Sequence, residues 1–265
     1  MTLSIGLDLG SRRTKAVLVE DGQIRAGSLF ESWALDRVPV IDWVESMRAE
    51  YGGQGLLLGT TGYGRRPAAD ACCGTAITEI RAFALGARVL SPGLCTLIDI
   101  GGQDAKVMHL DETGKVDDFE MNDRCAAGTG KFFELVANSL GVPLATLSDL
   151  ARGAAEPALL TSTCAVFAES EIIGRLADGV GRAALARGVF RAVSERLHAM
   201  LQRTGFGAPA LLVGGGASQA LAAELSEQVG FEVGLHSSGS FFGALGAAMY
   251  ALRPNTAEQN DKERS

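Results

Sequence analysis

Leu7-Asp8-Leu9-Gly10 and Ile98-Asp99-Ile100-Gly101 are two versions of one phrase, and the match continues without a gap until Lys15 stands opposite Lys106. In each version a short apolar run ends in a carboxylate and a glycine, and a second apolar run follows, Ala16 to Val19 in one copy and Val107 to Leu110 in the other. Runs this short between turn residues read as buried strands. Each copy then reaches a turn, Asp21-Gly22 or Glu112-Thr113-Gly114, before a third short strand. A strand-turn-strand-turn-strand unit written twice predicts two related lobes.

Between the copies the pattern predicts a helix around Val40 to Glu50, a strand at Leu56 to Leu58, a glycine-rich turn over Thr60-Thr61-Gly62-Tyr63-Gly64-Arg65, and a helix near Ile77 to Leu90. Beyond the second copy, helices are expected around Gly130 to Leu140, Ala165 to Leu176 and Ala183 to Arg203. A strand at Pro209 to Val213 then runs into Gly214-Gly215-Gly216, followed by a helix to about Gln228, a strand at Glu232 to Leu235, and a last helix from about Gly243. No low-complexity linker divides the chain, so the lobes should face each other across a cleft. The expected division is a first lobe at 1–92 completed by the C-terminal helix 240–253, a second lobe at 93–239, and a polar, flexible tail at 254–265.

With 265 residues, 47% of them hydrophobic and 21% charged, the chain can bury a substantial core, which excludes a disordered or fibrous protein. Glycine, at 34 residues, is nearly twice its usual share of about 7% and calls for many tight backbone turns. A formal charge of −7 leaves no global electrostatic case for a nucleic-acid partner. The start of the chain has no basic n-region and carries Asp8 within its apolar stretch. The late apolar run Phe241 to Leu252 is far short of the ~20 residues of a membrane span. A soluble cytoplasmic protein is expected. Five cysteines are too few and too irregular for a disulfide framework, so a special cysteine here should be a metal ligand or a redox group.

A carboxylate at the end of a buried strand, followed by glycines whose N–H groups converge, suits Mg²⁺ and phosphate. Two such units on facing lobes could hold one nucleotide, ATP or ADP. Asp8 and Asp99 would hold Mg²⁺ through water, the first turn (Gly10, Ser11, Arg12, Arg13, Thr14) and Gly101-Gly102 would approach the phosphates, and Lys15 would neutralise phosphate charge. Gly214, Gly215 and Gly216 would let adenine and ribose lie against the backbone. Gln103 and Asp104, just past the second glycine turn, could orient the attacking water or bind a Mg²⁺ water, or simply make the turn. Cys125 and Cys164 each precede small residues and then a helical pattern, so both lie near helix starts, where the positive dipole end favours thiolate.

In this order, GLDLGSRRTK (6–15), DIGGQDAK (99–106) and LLVGGGA (211–217) resemble the phosphate-1, phosphate-2 and adenosine motifs of the actin-like ATPase superfamily. More narrowly, TTGYGR (60–65), IDIGGQDAKV (98–107), MNDRCAAGTGKF (121–132), STCAVFAESEII (162–173) and FFGALGAAMYA (241–251) resemble the BadF/BadG/BcrA/BcrD family. That family comprises ATPase activators of 2-hydroxyacyl-CoA dehydratases and ATPase subunits of benzoyl-CoA reductases. The resemblance implies an α/β chain of the actin-like ATPase (ribonuclease H-like) fold, with two duplicated lobes around a nucleotide cleft. It implies a homodimer in which Cys125 and Cys164 of each chain share one [4Fe–4S] cluster, since two ligands cannot complete a Cys₄ shell. It further implies a ferredoxin or flavodoxin as electron donor, and a CoA-thioester dehydratase or reductase as acceptor. The rivals are a fixed component of a benzoyl-CoA reductase complex, a small-molecule kinase on the same fold, and an ATP-dependent conformational sensor. Arg12 and Arg13 depart from the small hydroxyl residues that would be the simpler choice in the first phosphate turn.

Overall fold

The computed structural model describes residues 2–52, 55–122, 128–161 and 165–253. Its strands form two five-stranded sheets of the same construction. In the first, β1 (Leu3–Leu9), β2 (Arg13–Glu20) and β3 (Gln23–Glu31) make an antiparallel meander, and β4 (Leu57–Gly62) and β5 (Thr75–Ala76) extend it in parallel beyond β1. In the second, β6 (Thr96–Ile100), β7 (Ala105–Leu110) and β8 (Val116–Asn122) repeat the meander, and β9 (Ala210–Val213) and β10 (Val233–Leu235) repeat the parallel extension beyond β6. The strand orders are β3-β2-β1-β4-β5 and β8-β7-β6-β9-β10, so the echo in the sequence is a duplication in space. The equivalence extends to register, with Asp8 paired to Lys15 and Asp99 to Lys106.

The helices follow the apolar periodicity. Helix α1 (Val38–Tyr51) enters through Pro39, whose fixed φ suits a first turn, and packs Val40 and Val44 on the first sheet. A short α2 (Arg65–Ala71) follows β4, and α3 (Glu79–Leu90) follows β5. The second sheet is covered by α4 (Gly130–Leu140), α5 (Leu144–Arg152), α6 (Ala165–Ala177), α7 (Arg182–Thr204) and α8 (Gln219–Val229), which share one large core with Ile98, Ile100, Val107 and Leu212. The last helix, α9 (Phe242–Ala251), is apolar all round and almost wholly buried, as expected of a helix inserted into a core. It packs on β1, β2 and β4 and against α3, while Phe83, Ala84 and Ala87 of α3 also meet Leu97, Met108 and Val213 of the second sheet. These two helices fill the seam between the sheets.

Glycine sets how close that seam is. A Cβ on Gly6 would overlap the Ala244 carbonyl, one on Gly59 the Ala247 carbonyl, and one on Gly246 the Ala82 carbonyl. Much of the glycine excess is thus spent on backbone-to-backbone packing.

Four expectations need correction. Thr60-Thr61-Gly62 is strand, not turn, because β4 runs beside β1 as far as Leu9. The helix expected from Ile77 starts at Glu79, since the Ile77 N–H is taken by the Thr60 carbonyl. Helices α2 and α5 had no counterpart in the sequence reading: α2 is only 7 residues long, and α5 starts straight after Pro143. The third strands are not short, with 9 residues in β3 and 7 in β8. The tail from 254 to 265 lies outside the described residues. Among the described residues no helix is long and apolar enough to cross a membrane.

Candidate active site

The two hairpins point their carboxylate ends into one cleft of about 450 Å³ between the sheets, lined by Asp8, Gly10, Ser11, Arg12, Arg13 and Lys15 from the first unit and by Asp99, Gly101, Gly102, Asp104 and Lys106 from the second. Gly130, Glu134, Gly215, Ser240 and Glu79 also line it. Each unit carries the same buried ion pair. Lys15 Nζ lies 3.0 Å from Asp8 Oδ2, and Lys106 Nζ lies 3.3 Å from Asp99 Oδ2. The pairs follow from register: a residue at the end of one strand and its partner at the start of the next face each other across the turn.

The second pair is the more elaborate. Lys106 also binds Asp104 Oδ2 at 2.6 Å and Glu79 Oε2 at 2.8 Å, so one ammonium is held by three carboxylates from three different elements. Burial works against its charge, yet Asp99, Glu79 and Asp104 together lift the Lys106 pKa above the ordinary lysine value. Burial likewise opposes the charge of Lys15, and Asp8, with Asp99 and Glu79 further off, more than offsets it. For Asp99 burial wins, helped by the charges of Asp104 and Asp8 and opposed by Lys106 and Lys15, and its carboxyl is pushed up to about 6. The floor of the cleft therefore carries four carboxylates, Asp8, Asp99, Asp104 and Glu79, against two ammonium groups, Lys15 and Lys106. That surplus of negative charge on hard oxygen donors suits a divalent cation such as Mg²⁺.

The turns themselves lie close together. Arg12 crosses over Gly102, where a Cβ would overlap its side chain, and it reaches Glu134 of α4. The first two N–H groups of α4, left unpaired at any helix start, donate to the carbonyls of the second turn: Gly130 N to Gly101 O at 2.8 Å and Lys131 N to Gly102 O at 2.9 Å. Not every residue expected in the site faces the cleft. Thr14 is fully buried behind the first turn, where its Oγ1 accepts the Trp33 N–H, and Gln103 is exposed and outside the cleft lining. Of the triple glycine only Gly215 opens to the cleft; Gly214, at φ +92°, and Gly216 are glycines because Asp99 and Ile100 occupy the space their Cβ atoms would need. Asp104 is in the cleft, paired with Lys106. Cys125 and Cys164 lie outside the described residues; β8 ends at Asn122 ahead of the first, α6 begins at Ala165 after the second, and α4 and α6 pack on each other.

Residues 5–251, nearly the whole chain, match the BadF/BadG/BcrA/BcrD ATPase family. The chain belongs to that family. Among its relatives, the activator of lactoyl-CoA dehydratase of Anaerotignum propionicum is 36% identical, with 94% of this chain and 96% of the relative covered. The (R)-2-hydroxyglutaryl-CoA dehydratase activating ATPase of Acidaminococcus fermentans is 34% identical, covering 94% and 97%. One of the benzoyl-CoA reductase subunits of Thauera aromatica is 28% identical, covering 94% and 93%. The solved activator of the 2-hydroxyisocaproyl-CoA dehydratase from Clostridium difficile with bound ADPNP superposes with a TM-score of 0.86 at 32% identity, over 99% of this chain and 98% of that one. The BadF/BadG/BcrA/BcrD chain described here is thus an ATPase of the actin-like fold.

Within this ATPase, the cleft residues that escaped the sequence reading of the site include the three that make its further ion pairs, Lys106, Glu79 and Glu134. Lys106 had its signal in the echo, being the counterpart of Lys15, but was not assigned a role. Glu79 opens a helix far from either hairpin in sequence, and Glu134 sits one turn into α4; nothing in composition or spacing tied either to the cleft.

Proposed function

We propose that this ATPase is an activator that couples ATP hydrolysis to low-potential electron transfer onto a 2-hydroxyacyl-CoA dehydratase or a related CoA-thioester reductase. The observation that carries the reading is the matched pair of Asp–Lys hairpin ends, Asp8–Lys15 and Asp99–Lys106, facing one cleft in a chain whose relatives include dehydratase activators. The nucleotide lies with its phosphates between Gly10–Lys15 and Gly101–Gly102, its adenosine toward Gly215, and Mg²⁺ held by Asp8 and Asp99 through water. Asp104 acts beside them, through Lys106 or a Mg²⁺ water. Lys15 and Lys106 keep their charge at neutral pH and bind the acidic residues until the nucleotide and its cation arrive.

The proposed division of the chain is a first lobe at 1–92 closed by the helix at 240–253 and a second lobe at 93–239. Cys125 and Cys164 of the two chains of a homodimer would hold one shared [4Fe–4S] cluster, which would supply one-electron chemistry at low potential. Thiol ligands suit iron–sulfur chemistry. What supports the assignment is that the helices beginning at Gly130 and Ala165, shortly after each cysteine, are packed partners, and that α4 hangs by its first N–H groups from the second phosphate turn. The donor is a ferredoxin or flavodoxin and the compartment the cytoplasm. The relation to a benzoyl-CoA reductase keeps a second reading, a fixed component of a reductase complex, and purification separates the two: an activator elutes as a homodimer free of other chains.

The test is reconstitution. Anaerobic protein, a low-potential reductant and a 2-hydroxyacyl-CoA dehydratase should yield dehydration only with Mg²⁺ and ATP, and ADPNP should not replace ATP for repeated turnover. Equal activation with and without ATP would refute the coupling.

A further inference from the structure

Arg12 and Glu134 join the two units across the mouth of the cleft. Arg12 Nη2 lies 2.6 Å from Glu134 Oε1 and 2.7 Å from Oε2, linking the first phosphate turn to α4. The two turns already touch, with Arg12 lying over Gly102, and α4 is fastened to the second turn through Gly130 and Lys131. Helix α4 is thus held at two points that both lie on the phosphate side of the cleft, one a pair of backbone hydrogen bonds and the other an ion pair. They differ in how easily they exchange. The backbone bonds satisfy helix N–H groups that have no other partner, whereas the ion pair is half-exposed, with side-chain exposures of 53% and 34%. Such pairs are weakly held and readily traded for a stronger partner. A terminal phosphate is one, because guanidinium binds phosphate oxygens in a bidentate fashion and the phosphate carries more charge than a carboxylate.

Resting on the nucleotide reading of this cleft, we infer that Arg12 senses the terminal phosphate, leaving Glu134 for the nucleotide when a triphosphate is bound and returning to Glu134 with a diphosphate. In the diphosphate state α4 is tied to both turns, and in the triphosphate state only to the second. The nucleotide then sets how firmly α4, and α6 packed on it, are held to the first sheet. Arg12 is a specificity-determining residue for triphosphate over diphosphate, and Glu134 is its competitor.

The experiment is calorimetric titration of wild type, Glu134→Gln, Arg12→Gln and the double variant with ADPNP and with ADP in the presence of Mg²⁺. Both side chains are partly exposed, so melting temperatures should stay near wild type and folding does not confound the result. Removing the competitor in Glu134→Gln should tighten ADPNP by about two- to five-fold, the range set by an exposed ion pair, and change ADP by less than about 1.5-fold. The gain should shrink in high salt. Arg12→Gln should weaken ADPNP more than ADP, and adding Glu134→Gln to it should have no further effect. An unchanged ADPNP-to-ADP ratio in Glu134→Gln, or the same gain with Arg12 already removed, would overturn the exchange. Failure of wild type to bind either nucleotide is a separate result and would refute the nucleotide reading itself.

Discussion

Lys106→Met tests the buried cluster of charges on the floor of the cleft. Methionine keeps most of the side-chain length and removes the ammonium, leaving Asp99, Asp104 and Glu79 without the cation that all three contact at 2.6–3.3 Å. Breaking a buried ion pair by deleting one partner costs about 3–5 kcal/mol, which for a chain of this size is roughly 6–20 °C of melting temperature. The dependence on pH has a definite sign. Asp99 is raised from 3.8 to about 6, so the folded state holds this proton more tightly than the unfolded chain. Its contribution is fully present below pH 3.8, fades as pH rises toward 6, and amounts to about 3 kcal/mol in all. Without Lys106 the three carboxylates repel one another with only the more distant Lys15 to oppose them, and their protonated forms are favoured further. The deficit of the variant should therefore be largest at pH 8 and smaller at pH 5. Melting followed by circular dichroism at both values, in EDTA and without nucleotide, reads it directly. A variant within about 2 °C of wild type at pH 8, or one hurt more at pH 5, would refute the reasoning.

Three further outcomes are expected. Asp8→Asn should raise the Mg²⁺ concentration needed for half-maximal ATP hydrolysis by about 10- to 100-fold while the protein stays folded, and an unchanged Mg²⁺ dependence would exclude the role given to this carboxylate. Gly59→Ala should cost about 2 kcal/mol or more, measured as a shift in the urea midpoint, because its Cβ has no room beside the Ala247 carbonyl. Cys125→Ala and Cys164→Ala should each abolish iron content and leave nucleotide affinity within about two-fold of wild type, since the nucleotide reading rests on the two hairpin ends and assigns these cysteines to the cluster instead; normal iron in either variant would reject the ligand assignment.

The duplication was legible because its signals are local. A strand ending in Asp-Leu-Gly or Asp-Ile-Gly and the lysine seven residues on from the carboxylate fix a hairpin register that the fold repeats in both sheets. Helices α4, at 11 residues, and α7, at 23, were legible from sustained apolar spacing, whereas α2, at 7, was too short to show a period. What the sequence could not carry was the meaning of glycines that act at a distance. Gly214 and Gly216 read as room for adenosine, yet they make room for Asp99 and Ile100, residues more than a hundred positions away. Thr14 looked like a phosphate ligand by its place in the turn, but strand alternation turns it inward to cap the Trp33 N–H. Glu79 and Glu134 reach the cleft because α3 fills the seam between the sheets and α4 starts on the second turn. Both are facts of tertiary packing, with no periodic trace in the chain.

The central claim, that ATP turnover in this chain serves electron transfer, is tested most directly by iron and acid-labile sulfide analysis of anaerobically purified protein, with the absorption spectrum recorded before and after dithionite. The account predicts four irons and four sulfides per two chains and a visible band that bleaches on reduction. Protein that hydrolyses ATP at a normal rate yet contains no iron would contradict it, and would return the cleft to a kinase or a conformational sensor.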